Sequence, residues 1–444
     1  MPPSSSFQGP KGTRDFYPER MAIRRHVEAA WRSASIDSGF CEIDGPMFEQ
    51  LELYTVKSGG EIVSQLFSFR REGGEDDYAL RPEFTPTLAR MAAARGKSLP
   101  VPTKWFSMPS LFRAERPQRG RLREHVQWNV DVRGVEDARA DVEVISTALL
   151  ALERLGLGPD QVKVRLSHRE SIAEVLKALG VPDQNLPEAF QLLDRRDRMD
   201  ESDFRGSVQG LGLDDSAIER FDKAAGLTRP LDDPPEQLAQ LLGVPVSALE
   251  GLGELTEGLR SAGLADWCVV DTGIVRGLAY YTGAVFEIFD AGRAERAIAG
   301  GGRYDRLVEL FGGPPTPACG FGMGDVVLSL VLEELGLLGE QPGADLIQPP
   351  DVFVVSTSES GDVFTGRLLT DLRRSGLHAR RSHKSTRNLG KLLSEASRAG
   401  ARHAVVLGDE LAGGEVLVKD LEAGSQVVVP LEGLSAALAG GLES

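Results

Sequence analysis

The chain has 444 residues and a formal net charge of −16, so it is too long for one hydrophobic core and should form about three domains. Its 41% hydrophobic and 26% charged residues are typical of a globular protein, and no apolar run reaches the roughly 20 residues of a membrane-spanning helix. The N-terminus lacks the apolar segment of a secretory signal, and the three cysteines are too widely spaced for a metal site. We therefore expect a cytoplasmic protein with no protein-held metal ion and no membrane partner.

The charges are distributed unevenly along the chain. Residues 366–402 contain ten Lys or Arg against two Asp or Glu, a local charge of +8, whereas residues 181–260 contain seventeen acidic against eight basic residues, a local charge of −9. The overall acidity argues against a nucleic-acid partner, but a concentrated basic region can bind one locally. A basic run is also typical of a solvated helix face, so both interpretations stay open.

The first hundred residues predict a helix and then a strand–helix unit. Apolar residues recur at helical spacing in the first helix, at Ile23, Val27, Ala30, Trp31 and Ala34. Residues 78–94 predict a short strand, a break at Pro82 and a helix that begins near Thr85. Thr85 would suit the cap of that helix and Glu83 the positive end of its dipole. Glu83 would equally suit a pocket that binds a cationic group.

Residues 103–134 predict an antiparallel hairpin with a long loop. Gln127, Asn129 and Asp131 alternate onto one face of its second strand, while the apolar residues between them share the other face. Such a polar face is usually the solvent side of a sheet, but it also offers a set of hydrogen-bond donors and acceptors. The loop and its flanks are rich in arginine, at Arg113, Arg116, Arg119, Arg121, Arg123 and Arg133. Because the chain has no P-loop, a nucleotide site would have to use such arginines.

Two motifs follow an acidic, helical region at residues 167–260, which we expect to be an inserted domain. They are RGLAYYTGAVFE at residues 276–287 and GGGRYD at residues 300–305. A strand carrying Arg276 and Tyr281, beside a glycine loop with Arg303 and Tyr304, would form a pocket for a small polar ligand with an anionic end. The tyrosine pair would equally suit packing between neighbouring strands.

The end of the chain predicts a further domain. GFGMG at residues 320–324 opens a helix at Asp325 but lacks the spacing of a dinucleotide loop, so its glycines favour close packing of helix on strand. After a Pro- and Gly-bearing linker at residues 341–350, strand and helix patterns alternate from Asp351 and a hairpin follows. This alternation predicts a mostly parallel sheet, and the basic run lies inside it, which favours a nucleic-acid face there.

Together these stretches resemble the histidyl-tRNA synthetase family of class II aminoacyl-tRNA synthetases over nearly the whole chain. The resemblance rests on KGTRDFYP (11–18), RPEFT (81–85), FRAERPQRGRLREHVQ (112–127), which is similar to class II motif 2, and the pair RGLAYYTGAVFE and GGGRYD. Residues 40–54 resemble motif 1, a dimer-interface element, and residues 316–330 occupy the place of motif 3. RNLGKLL and LGDELAGGEVLVKDL resemble the family's anticodon-binding domain.

The resemblance implies an α+β fold, with an antiparallel-sheet catalytic domain, a helical insertion and a C-terminal α/β anticodon-binding domain. The implied boundaries are 1–166 and 261–340 for the catalytic domain, 167–260 for the insertion, 341–350 for the linker and 351–444 for the anticodon-binding domain. The implied activity is that of a homodimeric histidine–tRNA ligase. It would use ATP and Mg²⁺ to form histidyl-adenylate and transfer the histidyl group to the 3′ end of histidine tRNA, which would contact the basic face of the C-terminal domain.

The resemblance also assigns roles to single residues. Arg113 and Arg276 would be catalytic groups at the α-phosphate, and Arg276 would also bridge the substrate carboxylate. ATP would further contact Glu115 through its adenine amino group, Arg121 through its terminal phosphates and His125 by stacking. Histidine would be held by Glu83, Thr85, Gln127, Asp131, Tyr281 and Tyr304. The first reaction step would need positioning and charge neutralisation rather than an acid or a base.

Motif 3 departs from the family pattern. Val327 stands where the family has an arginine that clamps the γ-phosphate, and Val326 stands in place of the preceding glutamate. Either Arg121 with a neighbour such as Arg119 or Arg123 replaces the clamp, or ATP binds more weakly. Two smaller departures are Ala279 in place of an aspartate and Asp131 in place of a glutamate.

Two alternative functions stay open at this point. One is a synthetase-like regulatory subunit of ATP phosphoribosyltransferase, which shares the catalytic fold but lacks the anticodon domain. The other is a non-catalytic tRNA or histidine sensor, which the missing motif 3 arginine favours. The C-terminal stretches and Arg276 argue against the first alternative.

Overall fold

The computed structural model describes residues 7–55, 65–196, 199–275, 280–292 and 296–440, except for the side chain of residue 97. The chain falls into two units, Met1–Leu346 and Ile347–Ser444. The division of the first unit into a catalytic domain and an insertion stays a prediction. No helix in the described ranges is long and apolar enough to cross a membrane.

The described elements are numbered in chain order. The strands are β1 Cys41–Glu42, β2 Phe48–Gln50, β3 Ser68–Arg70, β4 Asp77–Leu80, β5 Thr103–Ser107, β6 Ser110–Phe112, β7 Glu124–Arg133, β8 Val162–His168, β9 Thr228–Pro230, β10 Cys268–Asp271, β11 Ala284–Asp290, β12 Ala299–Arg303, β13 Ala318–Gly324, β14 Val352–Ser356, β15 Ala379–Arg381, β16 His403–Leu407, β17 Glu415–Asp420 and β18 Gln426–Pro430. The α-helices are α1 Pro18–Asp37, α2 Glu52–Thr55, α3 Thr85–Arg95, α4 Arg139–Arg154, α5 Arg169–Ala178, α6 Leu186–Arg195, α7 Glu201–Gly210, α8 Asp215–Ala225, α9 Pro235–Leu242, α10 Glu250–Ser261, α11 Leu307–Leu310, α12 Asp325–Glu334, α13 Glu359–Arg374, α14 Leu389–Arg398 and α15 Leu434–Gly440.

The first unit is built on a large, mainly antiparallel sheet. Its strand order is β1-β5-β7-β13-β12-β11-β8-β10-β9, and β6 pairs with the N-terminal part of β7. The pairings of β1 with β5 and of β8 with β10 are parallel. Strands β2, β4 and β3 form a separate antiparallel sheet. The expected hairpin of β5, β6 and β7 therefore lies towards one end of the sheet, where β1 pairs with β5 and β13 pairs with β7.

The apolar face of β7 fixes the orientation of that strand. Trp128, Val130 and Val132 are fully buried in the main core. The ring of Trp31 in α1 stacks on Trp128 at 5.8 Å between centroids, and Trp128 Nε1 donates a hydrogen bond to Oγ of Ser35 at 2.9 Å. Losing a core tryptophan of this kind costs about 3–5 kcal/mol. Because side chains alternate along a strand, this packing turns the polar residues of β7 to the opposite face.

The helices of residues 167–260 share the core of the first unit. Their apolar residues, including Ile172, Phe204, Phe221 and Leu255, belong to the same buried cluster as Trp128. These helices are amphipathic, so their apolar faces are buried while most of the acidic side chains are exposed. The acidity of this region is therefore a property of its solvent face.

The second unit contains a five-stranded sheet in the order β15-β14-β16-β17-β18. Strand β14 pairs in parallel with β15 and β16, while β16–β17 and β17–β18 are antiparallel. The expected helices flank the parallel part. The prediction of a mostly parallel sheet is wrong in this respect, because the closing hairpin joins the same sheet and contributes half of its pairings.

Candidate active site

A cavity of about 320 Å³ opens on the polar face of β7. Nine residues predicted for the site line it: Glu83, Thr85, Arg113, Arg121, His125, Gln127, Asp131, Tyr281 and Tyr304. Glu115 does not line it, and Arg276 lies outside the described residues. The polar face of β7 is thus the wall of a pocket, not the solvent side of a sheet.

Glycines make room in this cavity for the side chains of β7. A Cβ on Gly320 would lie 2.3 Å from Oδ1 of Asp131, and a Cβ on Gly322 would lie 2.7 Å from the amide carbon of Gln127. Both glycines belong to β13, the neighbour of β7. The packing of helix on strand that we expected from GFGMG therefore does not explain these two positions.

Asp131 and Tyr304 form a buried pair in the cavity wall. The Tyr304 hydroxyl donates a hydrogen bond to Oδ1 of Asp131. Burial raises the pKa of Asp131 to about 7, against the opposing effects of this hydrogen bond and of the Arg133 charge. Burial and the nearby carboxylate raise the pKa of Tyr304 well above its ordinary value, so the phenol keeps its proton. Asp131 is thus an acceptor that ionises near neutral pH.

Arg133 does not belong to the exposed arginine cluster that we expected around the loop. It lies two residues beyond Asp131 on the same face of β7 and is only 4% exposed. Its guanidinium carbon lies 5.8 Å from the ring centre of Trp105. Nε and one terminal nitrogen are buried without a hydrogen-bond partner among the described residues. Arg133 therefore contributes buried positive charge close to Asp131.

Arg113 is held in place by the backbone. Its Nε donates to the carbonyl oxygen of Pro82 at 3.0 Å, and its main-chain nitrogen donates to the carbonyl oxygen of Arg123 at 2.9 Å. Burial raises the pKa of Glu83, and the charge of Arg113 opposes that rise. The pKa of His125 falls to about 3 through burial, reinforced first by the Arg113 charge. The imidazole of His125 is consequently neutral at physiological pH.

Thr85 begins α3 but does not cap it. The cap residue is Phe84, and no side chain there accepts a hydrogen bond from the first turn. Thr85 instead lines the cavity beside Glu83. The interpretation of Thr85 as the helix cap is therefore wrong.

The arginines of the motif 2 loop have three different kinds of partner. Arg121 lies 2.6 Å from Oε2 of Glu115, and Oε1 of that carboxylate is buried without a hydrogen-bond partner in the described part of the chain. Arg119 contacts Glu334, and Nε of Arg123 donates to the carbonyl oxygen of Glu115 at 3.0 Å. Arg121 is the one of these three arginines that lines the cavity.

Three residues with polar or charged side chains in the cavity lining were not among the predicted contacts: Asn129, Tyr280 and Arg296. Asn129 lies in the polar row of β7 and could have been included on that pattern. The ring of Tyr280 lies 5.0 Å from that of Tyr281 and 6.1 Å from that of Tyr304. The tyrosine pair therefore both packs and lines the pocket. It precedes β11, so the strand that we expected to carry Tyr281 begins only at Ala284. No motif marked Arg296.

Arg303 lies on the opposite face of the sheet from Tyr304. Its Nε donates to Oδ2 of Asp141 at 3.1 Å, and its terminal nitrogens donate to the carbonyl oxygens of Val135 and Asp137. The expectation that GGGRYD brings both Arg303 and Tyr304 to one pocket is therefore wrong. The two residues are adjacent in sequence, so the pleat of the chain sends them to opposite sides.

Comparison with known proteins places the chain in a family. A family model described as histidyl-tRNA synthetase matches residues 12–325, and one described as an anticodon binding domain matches residues 351–440. The histidine–tRNA ligase of Natronomonas pharaonis is 37% identical over 429 residues, which cover 96% of each chain. The chain belongs to the histidyl-tRNA synthetase family. A histidine–tRNA ligase of Opitutus terrae is also 37% identical, over 97% of this chain and 98% of its own length.

A solved structure agrees with this assignment at the level of the fold. Histidyl-tRNA synthetase from Nostoc sp. PCC 7120 superposes with a TM-score of 0.80 at 24% identity, covering 98% of this chain and 99% of that one. The expected α+β class II fold and the expected ligase, an aminoacyl-tRNA synthetase, are confirmed. The matched anticodon-binding domain argues against the regulatory-subunit alternative, which lacks it.

The motif 3 region of the chain is anchored through an aspartate. Val326 and Val327 lie in the first turn of α12, and both line the cavity. Asp325, the first residue of that helix, is buried. It accepts a hydrogen bond from the main-chain nitrogen of Val126 at 2.9 Å and lies 2.7 Å from a terminal nitrogen of Arg14. The helix start is thereby tied to β7 and to the KGTRDFYP stretch.

Proposed function

We propose that this synthetase activates histidine with ATP, forming histidyl-adenylate and pyrophosphate, and then passes the histidyl group to the 3′ end of histidine tRNA. One observation carries the proposal. A single cavity combines the buried pair Asp131 and Tyr304 with the arginines Arg113 and Arg121. The pair suits a nitrogen heterocycle that donates hydrogen bonds, and the arginines suit phosphate oxygens.

Histidine would be recognised mainly through its ring. The carboxylate of Asp131 can accept a hydrogen bond from an imidazole N–H. Because the pKa of Asp131, about 7, is close to that of imidazole, the two groups can share a proton. The Tyr304 hydroxyl orients that carboxylate. Glu83 would accept hydrogen bonds from the α-ammonium group. The remaining predicted contacts would be Thr85, Gln127 and Tyr281.

Activation requires the substrate carboxylate to attack the α-phosphate in line with the leaving pyrophosphate. Arg113 would bind the α-phosphate, since its Nε is fixed by Pro82 and its terminal nitrogens have no protein partner among the described residues. Arg276 keeps its proposed role as a bridge between the substrate carboxylate and the α-phosphate. No proton needs to move in this step, so positioning and charge neutralisation suffice.

We propose that Mg²⁺ arrives on the phosphates of ATP. In the described part of the chain, no group of three or more His, Cys, Asp or Glu side chains is arranged to hold a metal ion. The residues therefore do not fit a resident metal site, whereas Mg²⁺ is commonly bound through substrate phosphates and water. No step above depends on a metal held by the protein.

His125 and Glu115 would bind the adenine. The pKa of His125 is lowered to about 3, so its ring is uncharged and suits stacking on a base. Glu115 does not line the cavity, but its Oε1 is a buried acceptor without a partner among the described residues, and this supports its assignment to the adenine amino group.

The tRNA would bind to the basic face of the second unit. The exposed cations there are Arg367, Arg373, Arg374, Arg380, Lys384, Arg387, Lys391, Arg398 and Arg402. Phosphate contacts of this kind release counterions, so tRNA affinity should fall steeply with salt. We also propose a cytoplasmic location, where tRNA is present. All three cysteines are free, which suits a compartment in which thiols stay reduced.

A second copy of the chain would cover the aromatic patch, which we define as Met47, Phe48, Phe69 and Tyr78. Met47, Phe48 and Phe69 are 56%, 48% and 44% exposed. The Phe48 ring lies 5.6 Å from that of Tyr78 and 5.8 Å from that of Phe69. An exposed aromatic cluster of this kind marks an interaction surface. Met47 and Phe48 belong to the motif 1 region, and Phe69 and Tyr78 lie on β3 and β4 of the same small sheet, so the patch supports a homodimer.

The proposed activity is tested by exchange of labelled pyrophosphate into ATP. The wild type should catalyse exchange only when histidine is present, and Arg113→Ala should slow it by roughly a hundredfold or more, since it removes a phosphate-binding charge. A matched control is Arg306→Ala, an exposed arginine outside the cavity. An inert wild type would overturn the proposal and favour the non-catalytic sensor that Val327 suggests.

A further inference from the structure

Arg296 lies at the mouth of the active-site cavity, next to the motif 3 region. The residue is exposed and lines the cavity together with Val326 and Val327. Two residues later, the carbonyl oxygen of Ile298 accepts a hydrogen bond from the main-chain nitrogen of Gly324 at 3.3 Å. Gly324 immediately precedes α12, so the segment that carries Arg296 runs beside the start of that helix.

The same corner of the cavity lacks the expected positive charge. Val326 and Val327 occupy the motif 3 positions, and Val327 is only 7% exposed. A valine cannot bind phosphate, and the terminal phosphates of ATP carry most of its charge. A site for ATP therefore needs a cation from another segment near these two valines.

Three other arginines, Arg14, Arg119 and Arg123, do not line the cavity. Arg14 lies 2.7 Å from the buried carboxylate of Asp325, so its charge is matched there, and it does not line the cavity. Arg119 contacts Glu334, and Arg123 donates to the backbone, so neither fulfils our expectation of a second clamp beside Arg121. In the described ranges, the arginines that do line the cavity are Arg113, Arg121 and Arg296.

We propose that Arg296 replaces the missing motif 3 arginine and binds the terminal phosphate of ATP. The guanidinium group can form two parallel charge-assisted hydrogen bonds to a phosphate, which suits a single residue to this task. Arg113 then holds the α-phosphate, while Arg121 from motif 2 and Arg296 beside motif 3 approach the terminal phosphates from two sides of the cavity. The inference rests on the proposed function, because it concerns how the same cavity binds ATP.

Equilibrium binding of ATP and of AMP to the full-length chain separates this role from a structural one. AMP has no terminal phosphates, so Arg296→Ala should weaken ATP binding by roughly tenfold to a hundredfold and leave AMP binding unchanged. Arg306→Ala, which changes an exposed arginine outside the cavity, should alter neither. Unchanged ATP binding by Arg296→Ala would overturn the proposal, as would an equal loss of ATP and AMP binding.

A second variant tests the replacement directly. In the Arg296→Ala background, Val327→Arg should restore much of the lost ATP affinity, since it returns a cation to the same corner. In the wild type, Val327→Arg should give little or no gain, because the terminal phosphate already has its arginine. Equal gains in both backgrounds would show that the corner was never occupied and would overturn the inference.

Pyrophosphate exchange distinguishes failure of this inference from failure of the proposed function. If the wild type shows histidine-dependent exchange and Arg296→Ala keeps the wild-type Michaelis constant for ATP, the role of Arg296 is ruled out and the proposed function stands. A wild type without exchange would sink the proposed function, while the ATP and AMP binding comparison would still decide whether Arg296 contacts a terminal phosphate.

Discussion

Tyr304 and Asp131 are joined by a hydrogen bond in which the phenol donates to Oδ1 of the carboxylate, and both side chains are more than nine-tenths buried. They come from distant parts of the sequence and meet because β12 and β7 both pair with β13. Burial raises the pKa of Tyr304 well above its ordinary value, so the phenol keeps its proton at neutral pH and can donate it to the carboxylate. The pair therefore fixes one acceptor lone pair and leaves the other oxygen of Asp131 for a ligand.

Tyr304→Phe should impair histidine binding selectively. The variant leaves the buried carboxylate without its donor, and an unsatisfied buried acceptor costs about 1–3 kcal/mol. We expect the Michaelis constant for histidine to rise by roughly tenfold in pyrophosphate exchange, with the constant for ATP changed much less. Equal effects on both substrates would contradict the assignment of this pair to the histidine end of the cavity.

The raised pKa of Asp131 predicts how the stability of the ligand-free protein depends on pH. Because this pKa is about 7 in the folded state and near 4 in an unfolded chain, folding takes up a proton between these values. The stabilising effect of that proton is complete in acid and is lost as the pH rises through 7. Asp131→Asn, which stays neutral, should therefore gain stability relative to the wild type as the pH rises.

Thermal unfolding at pH 5 and pH 8 measures this difference. The melting temperature of Asp131→Asn minus that of the wild type should be larger at pH 8 than at pH 5, and the corresponding change in the free energy of unfolding has an upper bound of about 3 kcal/mol, since only the pH range from 5 to 7 contributes. Tyr304→Phe should be measured alongside. The Tyr304 hydroxyl lowers the pKa of Asp131 by its hydrogen bond, so its removal should make the stability depend more steeply on pH. A difference independent of pH would show that Asp131 does not titrate in this range.

Two neighbouring glycines should respond differently to substitution by alanine. A Cβ on Gly322 would meet the end of the Gln127 side chain, at 2.7 Å or more, and that side chain can move aside. A Cβ on Gly301 would lie 2.3 Å from the carbonyl oxygen of Gly320, which cannot move without disturbing the sheet. Gly322→Ala should therefore displace Gln127, a proposed histidine contact, whereas Gly301→Ala should destabilise the fold by about 1–3 kcal/mol or more.

Pyrophosphate-exchange kinetics and thermal unfolding of the two glycine variants test this difference. Gly322→Ala should keep a melting temperature near that of the wild type while its Michaelis constant for histidine rises by about threefold to tenfold, as expected for a weakened hydrogen bond. Gly301→Ala should melt at a lower temperature. Similar melting temperatures with unchanged histidine kinetics would mean that neither glycine limits the space in the cavity.

Much of this site follows from the sequence because strand alternation is a local property. The polar row of Gln127, Asn129 and Asp131 could be assigned to one face from spacing alone, and the buried tryptophan beside them determined which face pointed inward. Arg303 was misassigned because it is adjacent to Tyr304, and neighbouring residues of an extended chain point to opposite sides, so one pocket cannot receive both.

Residues that depend on tertiary pairing could not be predicted from local pattern. Arg296 reaches the cavity only because the segment before β12 runs beside the end of β13, and nothing in its own sequence neighbourhood indicates a phosphate. Arg133 looked like a member of the loop cluster, yet it is buried because the strand continues beyond Asp131. Contacts of this kind are set by strand order, which the pattern of polar and apolar residues does not specify.

The aromatic patch should be required for dimer formation. Phe48 and Phe69 are each nearly half exposed, and a stable dimer buries about 800 Å² on each partner with aromatic residues at its centre. Phe48→Glu combined with Phe69→Glu places two like charges on each copy of the patch, so a dimer would have to bury four of them. We expect the variant to sediment as a monomer of about 48 kDa at concentrations where the wild type is a dimer. Val428→Glu, an equally exposed apolar residue of the second unit, should leave the dimer intact, and a wild type that is itself monomeric would rule out this use of the patch.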